Sequence, residues 1–479
     1  MVEDSKQLND IKKTTLSIGV VLIFSLAGCA TGPNQKKLND SNNLLRMGNV
    51  QGSLLGLEDT HKDIKDKDIP YYLDKTTLLQ LSGGQNSNAS IENLRQADRV
   101  VDDWMSQAKL NLGKTSTEVF SFIFAAGSKN TYQPKDYEKS MISFNLAITH
   151  FLDKQYENAR VAAKKLAERE TVIDRINELK IQSIKEKEGK DRSNNPQASS
   201  SINSINGYPV NLINSPEVNS LKNSYQNAAA HYLAGFMFEM QGDQGLAAPG
   251  YRIATELKPN VPLFSRSLAE LDRKISQNNS TKNTSEVLFI VEAGIIPRIS
   301  THKSNMTFNT RKGPRIVTLS LPVIEQPFIP NFLPASLGIN STTVPISQVV
   351  NLDAMSRRQL RDDMPGYVLK ATTQAFAQVI AQEAAQAAAE RNNKNNNNNG
   401  AAMFAAILVG VAMSAGDVDA RNWSALPGYI FMGRIEIPKG KTSLNIPTPT
   451  GMQNIDFVAT ENYHIVRVRY LGNTAYVSN

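Results

Sequence analysis

The chain has few residues whose types and spacing could support catalysis or metal binding. It contains 479 residues, with one Cys and five His. A single Cys excludes an intrachain disulfide framework and a multi-cysteine zinc or iron–sulfur site. The five His are far apart in sequence, which argues against a His-rich metal cage. The sequence has no nucleophile elbow, P-loop, dinucleotide fingerprint or paired zinc histidines. We therefore predict a protein that is not an enzyme, with no catalytic residue, no metal and no small-molecule substrate.

The one Cys lies where a lipid could be attached. Residues 16–26 form an apolar run that is too short for a membrane span and follows two lysines, as in a signal peptide. The run ends in Leu-Ala-Gly-Cys at 26–29, which resembles the bacterial lipobox. This resemblance implies cleavage between Gly28 and Cys29, so that 1–28 is a lipoprotein signal peptide. It also implies that Cys29 carries diacylglycerol on its sulfur and an acyl chain on its new amine.

The lipid chains predict the location of the protein. Three acyl chains exceed the two signals that stable membrane anchoring requires. The residue after Cys29 is Ala30 and not Asp, which by resemblance to bacterial sorting rules favours the outer membrane. We expect attachment to its periplasmic face, with residues 29–43 as the lipidated Cys and a polar tether. No other cofactor is predicted. The net charge of +7 is small for this length and does not indicate a nucleic-acid partner.

A second group of residues with chemical potential lies near the carboxy terminus. Asp419 and Arg421 are two residues apart and could form a partly buried ion pair, with Trp423 packed beside them. This cluster is the best candidate in the sequence for an interaction site. The alternative is a purely structural role, in which the ion pair and the Trp close a domain.

The amino-terminal half has a helical period. Residues 44–275 are predicted to form a domain of helix pairs that resemble tetratricopeptide (TPR) repeats, with small residues where two helices cross. A generic bundle of helical hairpins is the alternative. Residues 190–207, rich in Ser and Asn, are predicted to be a mobile insertion. The predicted packing residues of the two clearer pairs are Ala147, Ala159, Gly235, Ala247, Tyr251 and Pro259.

The carboxy-terminal half combines strands with helices. Residues 287–291 form an apolar run typical of a buried strand, and the alternation around 317–323, 429–437 and 466–470 indicates half-buried strands. Residues 367–415 are predicted to form a helical hairpin around an Asn-rich loop at 391–400. The fold class is therefore α+β, with a TPR-like helical domain followed by a mixed α/β domain at 285–479.

The order of motifs resembles a poorly characterised family of proteobacterial outer-membrane lipoproteins with TPR-like repeats. The matching sequences are DYEK at 136–139, NSYQN at 223–227, VEAGIIPR at 291–298 and DARNWSALP at 419–427. The chain departs from that family at Ala293, where an acidic residue is usual. The family has no settled activity. Its genes often lie beside the gene for an activator of cell-wall synthases, which implies a link to cell-wall synthesis.

Together these features predict a lipid-anchored scaffold. A helical groove would bind an unidentified envelope protein, and confinement to the membrane would raise its effective concentration. One alternative is a membrane-active or secretion component that uses the 367–415 hairpin. Another is a glycan-acting enzyme, because two carboxylates that face each other in space cannot be recognised in a sequence.

Overall fold

The protein has a mixed α+β fold, as predicted. The computed structural model describes residues 33–83, 88–124, 132–277, 283–310, 313–393 and 418–479. The predicted signal peptide, Cys29, most of the predicted Asn-rich loop and the second helix of the predicted hairpin lie outside these ranges. The helices that precede the sheets are α1 Pro33–Arg46, α2 Val50–His61, α3 Ile69–Leu81, α4 Asn88–Asn111, α5 Ser116–Phe124, α6 Asp136–Leu152, α7 Tyr156–Asn194, α8 Pro216–Asn219, α9 Ala228–Met240, α10 Gln244–Leu257 and α11 Pro262–Gln277.

The second half contains three sheets and a long helix. The five-stranded sheet has the order β11-β10-β1-β7-β6, the four-stranded sheet has the order β5-β4-β8-β9, and β2 and β3 pair as a hairpin. The elements are β1 Thr284–Ala293, β2 Ile299–Thr310, β3 Gly313–Ile324, β4 Ser336–Ile339, β5 Thr342–Pro345, β6 Ser347–Asn351, α12 Leu352–Asn393, β7 Tyr429–Pro438, β8 Gly440–Thr448, β9 Gly451–Ala459, β10 Tyr463–Leu471 and β11 Thr474–Ser478.

Strand β1 is the centre of the fold. It pairs in parallel with β10 and antiparallel with β7, and Val287–Val291 are buried, as the apolar run predicted. Because side chains alternate along a strand, its two faces enter different cores. Phe289 and Val291 pack against the four-stranded sheet, whereas Leu288 and Ile290 join the core of the helices. The five-stranded sheet is thus a middle layer between helices and a second sheet.

The predicted helix pairs are present. In α9 and α10, Gly235 lies so close to Tyr251 that a Cβ atom there would come within 2.8 Å of the tyrosine ring. Ala247 is fully buried in the same crossing, and α10 ends two residues before Pro259. The turn between the helices has Gly242 at φ +75° and Asp243, whose side chain accepts a hydrogen bond from Leu246 and caps α10.

The other pairs follow the same plan. Ala147 and Ala159 are buried where α6 and α7 pack. Helices α1 and α2 form a third pair that turns at Gly48, with φ +83°, and Asn49, which caps α2. These observations confirm the two predicted helical hairpins and show a third one. Their assignment to the TPR class stays a prediction.

The segment predicted as a tether is helical from Pro33 onward. Helix α1 packs along α2, with Ser41 and Leu45 buried and Leu38 partly buried on one side. These three positions lie on one face of the helix. The pattern is hard to recognise in the sequence because most residues between them are polar. The tether prediction is therefore wrong for 33–43.

The segment predicted as a mobile insertion is packed. Helix α7 continues to Asn194, and short helical turns follow at Ile202–Ser204 and Val210–Leu212. Ala198 and Ile205 are buried against α12 and the β2–β3 hairpin. The backbone of 190–207 follows an irregular path, and its few apolar side chains are buried. The prediction of a mobile insertion, which was based on composition, is therefore wrong. The Asn-rich loop also starts later than predicted, because α12 continues to Asn393.

Arginines of α12 hold another irregular segment in place. Arg357 is only 3 % exposed, pairs with Asp353, and donates to the carbonyl oxygen of Leu212 at 3.0 Å. Arg358 donates to the carbonyl oxygen of Leu221 at 2.7 Å. The structure shows that these cations cap backbone carbonyls of the segment between α7 and α9.

The turn of the first hairpin contacts the turn of the last one. A Cβ atom at Gly48 would come within 2.8 Å of the carbonyl oxygen of Leu471, and one at Gly472 within 2.4 Å of that of Met47. The hydroxyl of Tyr476 donates to the carbonyl oxygen of Gly48 at 2.6 Å. Two glycines are needed because side chains at either position would separate the turns.

The close crossing of α9 and α10 can be tested by adding one methyl group. A Cβ atom at Gly250 would lie 2.7 Å from the carbonyl oxygen of His231, which is backbone and cannot rotate away. We expect Gly250→Ala to lower the free energy of unfolding by about 1–3 kcal/mol in urea denaturation. The control is Gly245→Ala in the same helix, where the nearest atom is 3.8 Å away. It should be neutral or stabilise by up to about 1 kcal/mol. Equal effects of the two changes would contradict the close crossing.

Candidate functional site

Residues 419–426, here called the interlock segment, connect the two halves of the chain. Trp423 is 1 % exposed and is one of the largest fully buried side chains. Its indole Nε1 donates to Thr77 Oγ1 of α3 at 3.1 Å, and its backbone N–H donates to Glu138 Oε1 of α6 at 2.7 Å. The predicted Trp thus lies inside the helical layer.

A carboxylate of α3 accepts hydrogen bonds from the next two residues of the interlock segment. Asp74 accepts the backbone N–H of Ala425 at 2.8 Å and the hydroxyl of Ser424 at 2.7 Å. Burial raises the pKa of Asp74 from 3.8 to about 7, although these two hydrogen bonds oppose the shift. Burial likewise raises the pKa of Glu138. Two carboxyl groups thus satisfy backbone donors that would otherwise be buried without partners.

The predicted ion pair lies at the start of the interlock segment. Arg421 donates to both oxygens of Asp419 at 2.8 Å, and its Nη1 lies 3.3 Å from Asp68 at the start of α3. The structure contains the predicted Asp419–Arg421 pair, whereas the contacts of Trp423 are with Thr77 and Glu138 of the helices. Their contacts match the structural alternative, an ion pair and anchor that close the two halves.

A polar cavity lies beside this junction. It has a volume of about 220 Å³ and is lined by α4, α6, α7, α12 and Asp419. Lys139 pairs with Asp136 at 2.6 Å, and its Nζ lies 3.5 Å from the centre of the Trp104 ring. Lys180 pairs with Asp363 on α12. Burial lowers the pKa of Lys139 below its ordinary 10.5. Because the cations and carboxylates pair with each other, the arrangement is that of a structural ion-pair network.

A second cavity opens between α3 and the strands β10 and β11. Its volume is about 330 Å³, and its walls include Glu292, Arg467 and Arg469. Arg467 pairs with Glu292 at 2.8 Å and donates to Asn145 of α6 at 2.8 Å. Arg469 is 2 % exposed, and its Nε and Nη1 have no hydrogen-bond partner in the described part of the chain. We refer to this space as the arginine cavity.

Arg469 and Glu292 were not singled out by the sequence. The alternation at 466–470 places Val466 and Val468 on one face and the two arginines on the other, and that polar face was expected to meet solvent. In the structure the helices cover it. No local signal marks a strand face as covered, because the covering residues are more than 300 positions away in the sequence.

The first helices of two helical hairpins are buried, in part against the protein's own sheet. Every residue of α9 from Ala228 to Glu239 is buried, and so is α6 from Asp136 to Phe151. Arg434 of β7 pairs with Glu239 at 2.8 Å, and Tyr463 of β10 packs edge-on against Phe236. Burial would raise the pKa of Glu239, but Arg434 and Lys274 lower it to about 2. The groove expected on the helical half is filled at these helices.

The His residues on these helices are also packed. His231 lies 2.7 Å from Glu170, and the ring of His150 lies 3.0 Å from Gln155 Oε1. Burial lowers the pKa of His150, which favours its neutral form. Within the described ranges, no three His, Cys, Asp or Glu residues are placed to hold a metal ion.

Comparisons with known proteins give no further assignment. No protein-family model matches the chain, and no curated protein matches it. In the described part of the chain, no helix is long and apolar enough to cross a membrane.

The raised pKa of Asp74 predicts a pH dependence. The folded state binds a proton that the unfolded state releases near 3.8, so the contribution of this carboxyl to stability is present below that pH and is lost as the pH rises to about 7. The loss is at most about 4 kcal/mol, at about 1.36 kcal/mol per pKa unit.

We expect Asp74→Asn to flatten the fall in stability between about pH 4 and about pH 8 in urea denaturation. The amide oxygen can still accept the N–H of Ala425, so the variant retains part of the contact. Asp59→Asn is the control, since that carboxyl is fully exposed and its pKa is lowered by Lys37 and Lys62. An unchanged pH profile in the Asp74 variant would contradict the assignment.

The interlock itself can be tested with the two Trp residues of the chain. Trp423→Ala should lower the free energy of unfolding by about 3–5 kcal/mol, because it removes a fully buried ring. Trp104→Ala should have a smaller effect, since that ring is only partly buried and lines a cavity. Urea denaturation followed by circular dichroism measures both. If the Trp104 change were the larger one, the interlock would not be the principal junction.

Proposed function

We propose that the protein is a lipoprotein anchored to the periplasmic face of the outer membrane, and that it acts as a non-catalytic scaffold for an envelope protein. The lipobox-like sequence before Cys29 supports the anchor. The TPR-like helix pairs support a role in protein interaction. Membership of the lipoprotein family named above, and its link to cell-wall synthesis, belong to the same proposal.

The short distance between Cys29 and the folded body carries this proposal. The first described helix begins at Pro33. Four residues of chain span at most about 14 Å when fully extended. A lipid on Cys29 would therefore hold the body close against the bilayer. A partner bound to such a body is confined to the membrane plane, where even modest affinity gives high occupancy.

The interlock supports the same proposal in a different way. Helices and sheet share one hydrophobic cluster, and the Glu239–Arg434 ion pair and the Arg467–Asn145 hydrogen bond cross between them. Because helices and sheet are joined in this way, we expect the body to act as one unit and to hold a bound partner in a fixed position relative to the lipid anchor. Because α6 and α9 are covered, the partner must contact other faces. Exposed apolar side chains on second helices include Val161, 55 % exposed, and Leu246, 42 % exposed.

The described residues give no support to the membrane-active alternative. The first helix of the 367–415 hairpin is part of α12, and Val368, Leu369 and Val379 are buried in the protein core. Insertion of this helix into a bilayer would expose the residues that pack against it. We therefore propose no second function.

The test begins with Cys29→Ser. We expect the wild-type protein to fractionate with the outer membrane and its first mature peptide to carry diacylglycerol and an acyl chain in mass spectrometry. The variant should lack both lipids and leave that membrane. A bare thiol in a protein found in the cytosol would refute the anchor.

The scaffold role is tested in the same cells by a photo-crosslinking side chain at position 161 or 246. A specific envelope protein should be captured from the lipidated form and captured much less in the Cys29→Ser background, because confinement is lost. The control position is Glu157, which lies on the same helix as Val161. A signal that is equal at 157 and 161, or no captured envelope protein, would contradict the scaffold.

A further inference from the structure

The arginine cavity contains a buried cation that the protein itself does not satisfy. Arg469 is 2 % exposed, and its one hydrogen bond in the described part of the chain joins Nη2 to the carbonyl oxygen of Ala425 at 3.2 Å. Its Nε and Nη1 are buried without a hydrogen-bond partner among the described residues. Buried donors of a charged group are almost always paired, because an unpaired one loses its hydration without compensation.

The nearby carboxylate does not fill this role. Glu292 is the acidic side chain in the cavity wall, and it lies 2.8 Å from Arg467 but 3.9 Å from Arg469. Two arginines and one glutamate leave the wall with one surplus positive charge. Burial lowers the pKa of Arg469 from 12.5 to about 10, which shows that the protein environment disfavours its charged form.

The cavity is large enough for a ligand and open to solvent. Its volume of about 330 Å³ lies at the small end of the range of roughly 300–1,000 Å³ that is typical of small-molecule sites. Thr474 at the mouth is exposed, whereas Arg469 and Glu292 are buried inside. The hydroxyl groups of Thr474 and Ser478 add donors at the entrance.

We propose that the arginine cavity is a binding site for a small oxyanion, a carboxylate or phosphate group, with Arg469 as the residue that recognises it. The anion neutralises the surplus charge and accepts from the free guanidinium nitrogens, as oxyanions do in charge-assisted pairs with arginine. This site is independent of the lipid anchor and of the scaffold surface.

The test is isothermal titration of the purified full chain with sodium acetate and with sodium phosphate, in a fixed excess of sodium chloride that holds the ionic strength constant. We expect saturable binding of at least one of the two oxyanions. Arg469→Met should weaken it at least tenfold, and Arg252→Met, on the exposed side of α10, should leave it unchanged. No saturable binding, or equal binding by the Arg469 variant, overturns the proposal.

The melting temperature of the Arg469→Met variant provides a second measurement. A methionine removes the unpaired charge and leaves Glu292 paired with Arg467, so we expect a higher melting temperature than for the wild type without oxyanion. A lower melting temperature of a folded Arg469→Met protein, together with binding that persists, would assign Arg469 a structural role and overturn the proposal.

A pair of surface variants keeps the test valid if Arg469→Met does not fold. Thr474→Glu places a carboxylate at the cavity mouth, and Asn473→Glu adds the same charge at the neighbouring exposed residue, which is not part of the wall. Oxyanion binding should weaken several-fold more in the first variant than in the second. Equal effects would contradict binding in this cavity.

Vesicles of phosphatidylglycerol distinguish the sources of a phosphate group. Vesicle binding that depends on Arg469 identifies a lipid headgroup as the ligand, whereas binding of the free ions without vesicle binding identifies a soluble ligand. Both outcomes support the oxyanion site. Because the titrations are done with purified protein, a failure of the lipid anchor or of the scaffold leaves their result unaffected.

Discussion

The fold depends on the burial of Trp423 and of the backbone around it in the helical layer. The amides of Trp423 and Ala425 have Glu138 and Asp74 as acceptors, from helices that lie 285 and 351 residues earlier in the chain. Neither half can satisfy these groups alone, because the donors and acceptors are on different halves. The helices and the sheet must therefore become stable together, and contacts between residues so distant in sequence slow folding through the entropy of loop closure.

The five-stranded sheet covers part of the apolar surface of the helix pairs. A short stack of such pairs leaves an apolar face that must be covered. In this chain Leu288 and Ile290 of β1 supply part of that cover, and Arg434 neutralises the buried Glu239. The opposite face of β1 packs in the core of the four-stranded sheet, so this one strand contributes to the hydrophobic cores on both faces of its sheet. A protein of this construction presents its outer helix faces and not its inner ones.

The sequence predicts the parts of the fold whose signals are local. Each of these signals indicates a structure by itself: the apolar run 287–291, the glycine and cap at Gly242 and Asp243, and the small residues at Gly235 and Ala247.

The prediction fails where burial comes from distant elements. Residues 190–207 are polar in composition, yet Ala198 and Ile205 are buried against α12 and the β2–β3 hairpin. Arg469 lies on an alternating strand, and only the tertiary structure shows that helices cover it. The cluster at Asp419 was found because its residues are neighbours in sequence, but its partners Asp68, Asp74 and Thr77 could not be.

The contact of Gly48 with Gly472 has a consequence for the order of events during biosynthesis. The turn of the first hairpin packs against the turn of the last, and a hydrogen bond from the hydroxyl of Tyr476 joins the two. A ribosome has to release residues 471–476 before the amino-terminal hairpin can reach its final environment. Until then a nascent chain keeps that hairpin incompletely covered and open to chaperones or proteases. Loss of residues 471–476 would therefore uncover the turn of the first hairpin.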